Sequence, residues 1–209
     1  VDTRQKKAIP IGELHMLLNK DPQSEKLRRT QAIANLLFQF CGMPFSDLAH
    51  LEKSNLERGL LKYNRTKTGT PMSIEVLESA QNAIGGLYNK SDARSSGYPD
   101  YLFRILSGAY KRNEEGAYRE YQSALRRFNN ELKSLSRKLR LHSPVTSYTL
   151  RHSWATTAKY RGVPIEMISE SLGHKSIKTT QIYLKGFELE ERTKVNKLNY
   201  SYVCNFKML

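Results

Sequence analysis

The sequence has little cysteine and no pattern of metal ligands. Its two cysteines, Cys41 and Cys204, are far apart in the chain, and no CxxC pair occurs. This excludes a disulfide framework and a cysteine-based zinc site. The five histidines never fall at the spacing that metal sites use, so we expect no bound metal.

Long apolar runs are also missing. No stretch of 18 apolar residues exists, and the opening VDTRQKKAIP lacks the apolar core of a signal peptide. We therefore expect no membrane partner. Hydrophobic residues make up 39% and charged residues 26%, which is typical of a globular protein rather than a disordered one. A chain of 209 residues is long enough to bury a sizeable core.

Acidic residues are scarce relative to basic ones. The chain has 34 Lys and Arg against 20 Asp and Glu, a formal net charge of +14, and a pI near 9.8. A balance this basic indicates a polyanionic partner such as nucleic acid. Charge alone does not decide between nucleic-acid binding and an ordinary surface that is well solvated by lysines.

Hydrophobic periodicity predicts a mostly α fold with a small antiparallel β-sheet, of the α+β class. One hairpin is expected, with strands at 60–66 and 72–76 around the turn KTGTP. Asp21 is predicted to cap the second helix, with Pro22 at its first position. The predicted helices are 11–19, a helix from 22 that Gly42 ends, a short one after Pro44, 77–88, 115–140, three short ones after Pro144, and 187–198, followed by an extended segment at 200–206.

Three segments carry the chemistry: the hairpin YNRTKTGTP (63–71), TSYTLRHSWATTA (146–158) and SLGHKSIKTTQIYLK (171–185). The segments RHSWAT, GVPIEMI and LGHKSIKTTQIY, in this order, resemble the closing motif of the tyrosine recombinases, the phage integrase family. The resemblance extends upstream through LFRIL (102–106) to the hairpin and covers essentially the whole chain. The segment GMPFSDLAHL is most similar to integrases of Bacteroides-type mobile elements.

The resemblance implies a catalytic domain that cuts and rejoins DNA through a 3′-phosphotyrosine, without metal, nucleotide cofactor or ATP. It makes Tyr183 the nucleophile, Arg151 a phosphate clamp and His174 a hydrogen-bond donor to the same phosphate. Lys67 resembles the general acid that protonates the leaving 5′-oxygen. Each residue alone has an ordinary structural explanation, such as packing, capping or a solvated turn. Their joint occurrence in the right order favours the functional interpretation.

One departure from the family pattern is at Pro44. In the G-[LM]-R stretch of the family, this position holds a first arginine that clamps the phosphate. A proline offers neither charge nor donor. Losing such a clamp costs several kcal/mol of transition-state stabilisation, roughly the loss of an oxyanion donor. Since strand residues two apart share a face, Arg65 beside Lys67 is our candidate substitute, ahead of Arg28 or Arg29.

A second departure is Tyr148, three residues before Arg151, where the family has His or Lys. A phenol, with a pKa near 10, is a poor base at neutral pH and a good donor. We therefore expect Tyr148 to donate a hydrogen bond to the phosphate.

Further expectations concern the partner, the domains and the place of action. The partner is double-stranded DNA, and the protein is expected to be a homotetramer on DNA and a monomer without it. Residues 1–10 are a linker from a preceding core-binding domain, 11–186 the catalytic domain, and 187–209 a tail that docks in cis or trans. The protein acts in the bacterial cytoplasm, at the nucleoid. The predicted DNA contacts are Lys175, Lys178, Arg126 and Arg127, the last two on the long basic helix at 115–140.

Two alternatives stay open at the level of sequence. A type IB topoisomerase shares the chemistry but relaxes any supercoiled DNA. A DNA-binding regulator with the same fold and lost cleavage is favoured by Pro44 and Tyr148, and covalent trapping of DNA eliminates it.

Overall fold

The computed structural model describes residues 8–89, 98–184 and 189–204. Inside these ranges the side chains of 182, 183, 189–192, 194, 195, 202 and 203 lie outside the description. The described part is mostly helical with one three-stranded antiparallel sheet, which confirms the predicted fold class.

The elements follow in chain order. The helices are α1 (Ile11–Asn19), α2 (Glu25–Gln39), α3 (Phe45–Ala49), α4 (Glu78–Leu87), α5 (Glu115–Lys138), α6 (Ser147–Tyr160), α7 (Ile165–Ser171), α8 (Ile177–Leu184) and α9 (Leu189–Cys204). A 3-10 turn (Lys53–Asn55) leads into β1 (Leu56–Glu57), β2 (Leu60–Asn64) and β3 (Pro71–Glu75). The strands are ordered β1-β2-β3, with Leu61 opposite both Leu56 and Ile74.

The apolar side chains form two clusters. The larger one joins α1 to α5, the sheet and Leu150 of α6, and its centre includes Leu36, Leu37 and Leu132, all fully buried. The smaller one holds Ala155, Ile168, Leu172 and Leu184. It packs α6, α7 and α8 together and so fixes the end of the chain that carries the closing motif.

Gly42 allows α2 and α6 to approach closely. The chain leaves α2 through Cys41 and Gly42, both with positive φ (54° and 64°). A Cβ on Gly42 would lie 3.2 Å from the Cα of Arg151 and 3.2 Å from the Cβ of Trp154. Only glycine can take a positive φ and also leave room for the backbone of α6 without strain.

Two local predictions are wrong. Helix α2 begins at Glu25 with Ser24 as its N-cap residue, because Gln23 takes a positive φ of 53° and turns the chain after Pro22. The Asp21 carboxylate instead accepts hydrogen bonds from the Gln23 amide and the Arg28 side chain.

The predicted extended segment at 200–206 is the second error, because residues 200–204 continue helix α9. Within the described structure no strand pairs with them, and their backbone groups pair along the helix. Residues 205 and 206 lie outside the described residues. The division into linker, catalytic domain and tail stays a prediction.

Replacing Gly42 by Ala tests the close approach of α2 to α6. Gly59 is a matched control, because its φ is also positive (78°) but a Cβ there meets nothing within 4 Å. We expect Gly59→Ala to cost about 1 kcal/mol of unfolding free energy from backbone strain alone. Gly42→Ala should cost about 1 kcal/mol more, measured by urea denaturation. Equal losses in the two variants would contradict the packing argument.

Candidate active site

Arg151 lies at the centre of a cluster of polar side chains. Helix α6 begins with a capping box between Thr146 and Thr149, which places Arg151 on its second turn with 7% of its surface exposed. Its Nη1 donates to the carbonyl of Gly42 at 2.9 Å, and its Nη2 donates to the carbonyl of Leu172 at 2.7 Å. The guanidinium is therefore fixed between the end of α2 and the end of α7.

Arg65 reaches the same carbonyl from the hairpin. Its side chain is 7% exposed, and its Nη1 donates to the Leu172 oxygen. Leu172 caps the C-terminus of α7, where carbonyl groups carry partial negative charge and lack partners within the helix. Two guanidinium groups from different elements thus meet at one oxygen.

A buried acid holds Arg65 in this position. The Nε of Arg65 lies 2.8 Å from Oδ2 of Asp47, whose side chain is fully buried, although its N–H does not point at that oxygen. The Asp47 Oδ1 accepts from the backbone amide of Thr66 at 3.2 Å. Asp47 therefore fixes both the side chain of Arg65 and the backbone where the hairpin turns.

His174 completes the cluster. Its Nε2 lies 3.2 Å from Nη2 of Arg151, and its Nδ1 lies 2.8 Å from Oγ1 of Thr180. Burial, together with the charges of Arg151, Arg65 and Lys67, lowers the pKa of His174 from 6.5 to about 4. The imidazole is therefore neutral at pH 7. Since a guanidinium only donates, Nε2 is the acceptor and the proton resides on Nδ1.

The turn before His174 depends on Gly173. Its φ is 65°, and a Cβ there would lie 2.8 Å from Sδ of Met72 and 2.9 Å from Cγ of Arg65. The hairpin tip touches the same turn, where Thr68 Oγ1 lies 3.5 Å from the Gly173 carbonyl. The hairpin and the α7–α8 turn are therefore packed directly against each other.

Lys67 lies on the exposed turn of this hairpin. Strand β2 ends at Asn64, and the amide of Gly69 donates to the carbonyl of Arg65 to close the turn. The expectation that Arg65 and Lys67 share one strand face is therefore wrong: Arg65 is buried and Lys67 is exposed. Both charges nevertheless act on His174.

The two tyrosines named from the sequence lie on helices of the same unit. Tyr148 is in the first turn of α6, one turn before Arg151, with 42% of its surface exposed. Tyr183 has its backbone in α8, one turn after Thr180, and its side chain lies outside the described residues. The neighbouring carbonyl of Leu184 accepts from Nζ of Lys159 at 3.0 Å, which ties the end of α8 to α6.

Of the proposed substitutes for an arginine at position 44, Arg65 is the one that the structure brings to the cluster. Pro44 is the N-cap residue of α3. Arg28 pairs with Asp21 on an exposed surface, and Arg29 donates to the carbonyl of Arg104.

The predicted DNA-contacting residues fall into two places. Lys175 and Lys178 are exposed on the α7–α8 turn and the first turn of α8, directly after His174. Arg126 and Arg127 are exposed on α5 and line a groove with Lys26 and Glu131.

Sequence reasoning missed Asp47, Thr180 and Lys159. Asp47 lies inside the segment GMPFSDLAHL, but its partner Arg65 belongs to the hairpin. Thr180 lies inside LGHKSIKTTQIY, only six residues after His174, so this contact is local in sequence. Among the described residues no group of His, Cys, Asp or Glu could hold a metal ion. In the same residues no helix is both long and apolar enough to cross a bilayer.

Comparison with known proteins gives a consistent result. The sequence model described as "Phage integrase family" matches residues 11–189. Tyrosine recombinase XerD of Halalkalibacterium halodurans is 30% identical over 190 residues, covering 86% of this chain and 57% of that protein. The chain spans little more than half the length of the curated relatives it matches.

Two solved structures share the fold. The crystal structure of XerA recombinase aligns with a TM-score of 0.64 and 20% identity, covering 100% of this chain and 67% of that one. The Tn1549 transposon integrase, solved in complex with a circular intermediate DNA, aligns with a TM-score of 0.61 and 16% identity, covering 94% and 67%.

The buried ion pair generates a prediction about stability. Arg65→Met alone leaves the Asp47 carboxylate buried without a counter-charge, so we expect a loss of about 3–5 kcal/mol of unfolding free energy. Arg65→Met combined with Asp47→Leu removes both charges and should recover at least half of that loss. Urea denaturation of the parent and both variants measures this. A double variant no more stable than the single one would contradict the pairing.

The lowered pKa of His174 generates a prediction about pH. Between pH 6.5 and about 4 the unfolded chain binds a proton at this residue and the folded site does not. Unfolding free energy should therefore fall as the pH falls through this range, and His174→Gln should make that fall shallower. Urea denaturation at pH 7, 5.5 and 4.5 provides the comparison. The same slope for parent and variant would show that His174 is not held neutral.

Proposed function

The chain belongs to the phage integrase family, and we propose that it is the catalytic part of a tyrosine recombinase that cuts and rejoins DNA at a specific site. The observation that carries the proposal is the convergence of Arg65, Arg151 and His174 around the carbonyl of Leu172. Two buried guanidiniums beside an imidazole suit a phosphodiester, because planar donors bind two phosphate oxygens at once.

The proposed cleavage step draws its reacting groups from side chains of this chain. The Oη of Tyr183 gives up its proton to water and attacks the phosphorus, the bond to the 5′-oxygen breaks, and a 3′-phosphotyrosine forms. Lys67, which is exposed on the hairpin turn, gives a proton to the leaving 5′-oxygen. Attack by a 5′-hydroxyl on the phosphotyrosine reverses the step, so the bond energy is conserved without ATP.

The other residues stabilise the charge that grows on the phosphate. Arg151 and Arg65 act as the two clamps, with Arg65 in place of an arginine at position 44. His174 donates from Nε2, and Tyr148 donates its phenolic proton.

DNA binding is supported by the charge of +14 and by the exposed Lys175 and Lys178 beside His174. The basic groove at Arg126 and Arg127 is a further candidate contact on α5. The Tn1549 integrase was solved with DNA, and we extend that partner to this chain on its fold.

Finer parts of the assignment follow from the family. We infer a homotetramer on DNA, a monomer without it, a core-binding domain preceding residues 1–10, and a tail whose helix α9 docks on its own or a neighbouring subunit. We also infer an origin in a Bacteroides-type mobile element and action in the bacterial cytoplasm, at the nucleoid.

A DNA-binding regulator is the second candidate. Pro44 at the clamp position and Tyr148 in place of His or Lys favour it, because each removes a group that the family uses for cleavage.

Trapping of the covalent complex tests the proposal. The full-length protein is incubated with nicked suicide duplexes drawn from the ends of its mobile element and run on a denaturing gel. We expect a DNA band shifted by the mass of the protein, lost in Tyr183→Phe and retained in Tyr110→Phe, which alters an exposed tyrosine before α5. DNA that is bound but uncut by the parent would overturn the proposal in favour of the regulator.

A further inference from the structure

Thr180 is a buried hydroxyl next to an active-site histidine. It lies on α8 and is fully buried, and its Oγ1 is 2.8 Å from Nδ1 of His174. Its neighbour Thr179 is exposed on the same helix. Nothing in the mechanism proposed above uses Thr180.

The hydrogen bonds around His174 define one tautomer in the protein without DNA. Nη2 of Arg151 donates toward Nε2, so the ring proton is on Nδ1 and is donated to Oγ1 of Thr180. In the free protein Nε2 is therefore an acceptor. To donate a hydrogen bond to the scissile phosphate, Nε2 must instead carry a proton.

A hydroxyl differs from a backbone carbonyl, which only accepts, and from a backbone N–H group, which only donates, because a hydroxyl can do both. When it accepts from Nδ1–H, its own proton can be given to the carbonyl of Ser176, four residues earlier and just before α8. When it donates to a bare Nδ1, the ring proton is on Nε2. The change moves one proton from Nδ1 to Nε2 by exchange with water, and the net number of protons is unchanged.

We propose that Thr180 is a positioning residue that holds the ring of His174 in place while allowing its proton to occupy either nitrogen. The hydroxyl accepts from Nδ1–H in the free protein, and it donates to Nδ1 when Nε2–H faces the phosphate. The second half of this proposal rests on the proposed function.

The test compares Thr180→Val, which keeps the shape and removes the hydroxyl, with Thr180→Ser, which restores it. Thr179→Val is the matched control. Nitrogen NMR of the imidazole in the protein without DNA reports which nitrogen carries the proton. We expect the Nδ1–H form in the parent, Thr180→Ser and Thr179→Val, and a population shifted toward Nε2–H in Thr180→Val.

The rate of covalent-complex formation on the suicide duplex is the second readout. Thr180→Val should slow it about tenfold, as expected for one hydrogen bond to a catalytic group, while Thr180→Ser and Thr179→Val stay within about twofold of the parent. An unchanged tautomer in Thr180→Val, or a Ser variant as slow as the Val variant, would overturn the proposal. If the parent forms no covalent complex, the proposed function fails, and the tautomer comparison still decides whether Thr180 positions His174.

Discussion

The carbonyl oxygen of Leu172 is the acceptor on which the candidate site depends. It is the C-terminal cap of α7, and both Arg65 and Arg151 donate to it. Three elements are thereby joined, because Arg65 follows β2 and Arg151 lies on α6. The oxygen itself is placed by the packing of the Leu172 side chain against Ala155, Ile168 and Leu184. A small apolar cluster therefore sets the geometry of a cationic site.

Two positive charges in one buried site are unfavourable, and a neighbouring side chain offsets part of this repulsion. Two guanidiniums in a buried site repel each other, and Asp47 offsets one of the two charges. Burial, together with the remaining excess of positive charge, lowers the pKa of His174 and keeps its ring neutral. A phosphodiester has one negative charge and gains a second as its phosphorus becomes five-coordinate, so the site is matched to charge that develops during the reaction. This arrangement gives a physical reason why Pro44 need not abolish catalysis.

Much of the architecture could be predicted because it depends on local patterns. Helix α5, the hairpin and the three helices after Pro144 follow from apolar periodicity and from glycine and proline, and the order of the motifs predicted the family. The N-cap residue of α2 could not be predicted from such patterns, because a positive φ at Gln23 moves the start of the helix to Glu25. Asp47 and Thr180 were also missed. The pairing of Asp47 with Arg65, and the meeting of Arg65 with Leu172 across 107 positions, depend on tertiary packing that no local pattern encodes.

The most direct test of the account asks whether Arg65 acts on the charge of the scissile phosphate. The rate of covalent-complex formation is measured for the parent and for Arg65→Met/Asp47→Leu, on a suicide duplex with an ordinary phosphodiester and on one with a neutral methylphosphonate at the cleaved position. On the phosphodiester the variant should be slower by about 10²–10³, the cost of losing one donor to a developing oxyanion. On the methylphosphonate we expect a much smaller difference between parent and variant, because less negative charge develops there. An equal loss on both substrates would contradict it and would leave Arg65 a purely structural role.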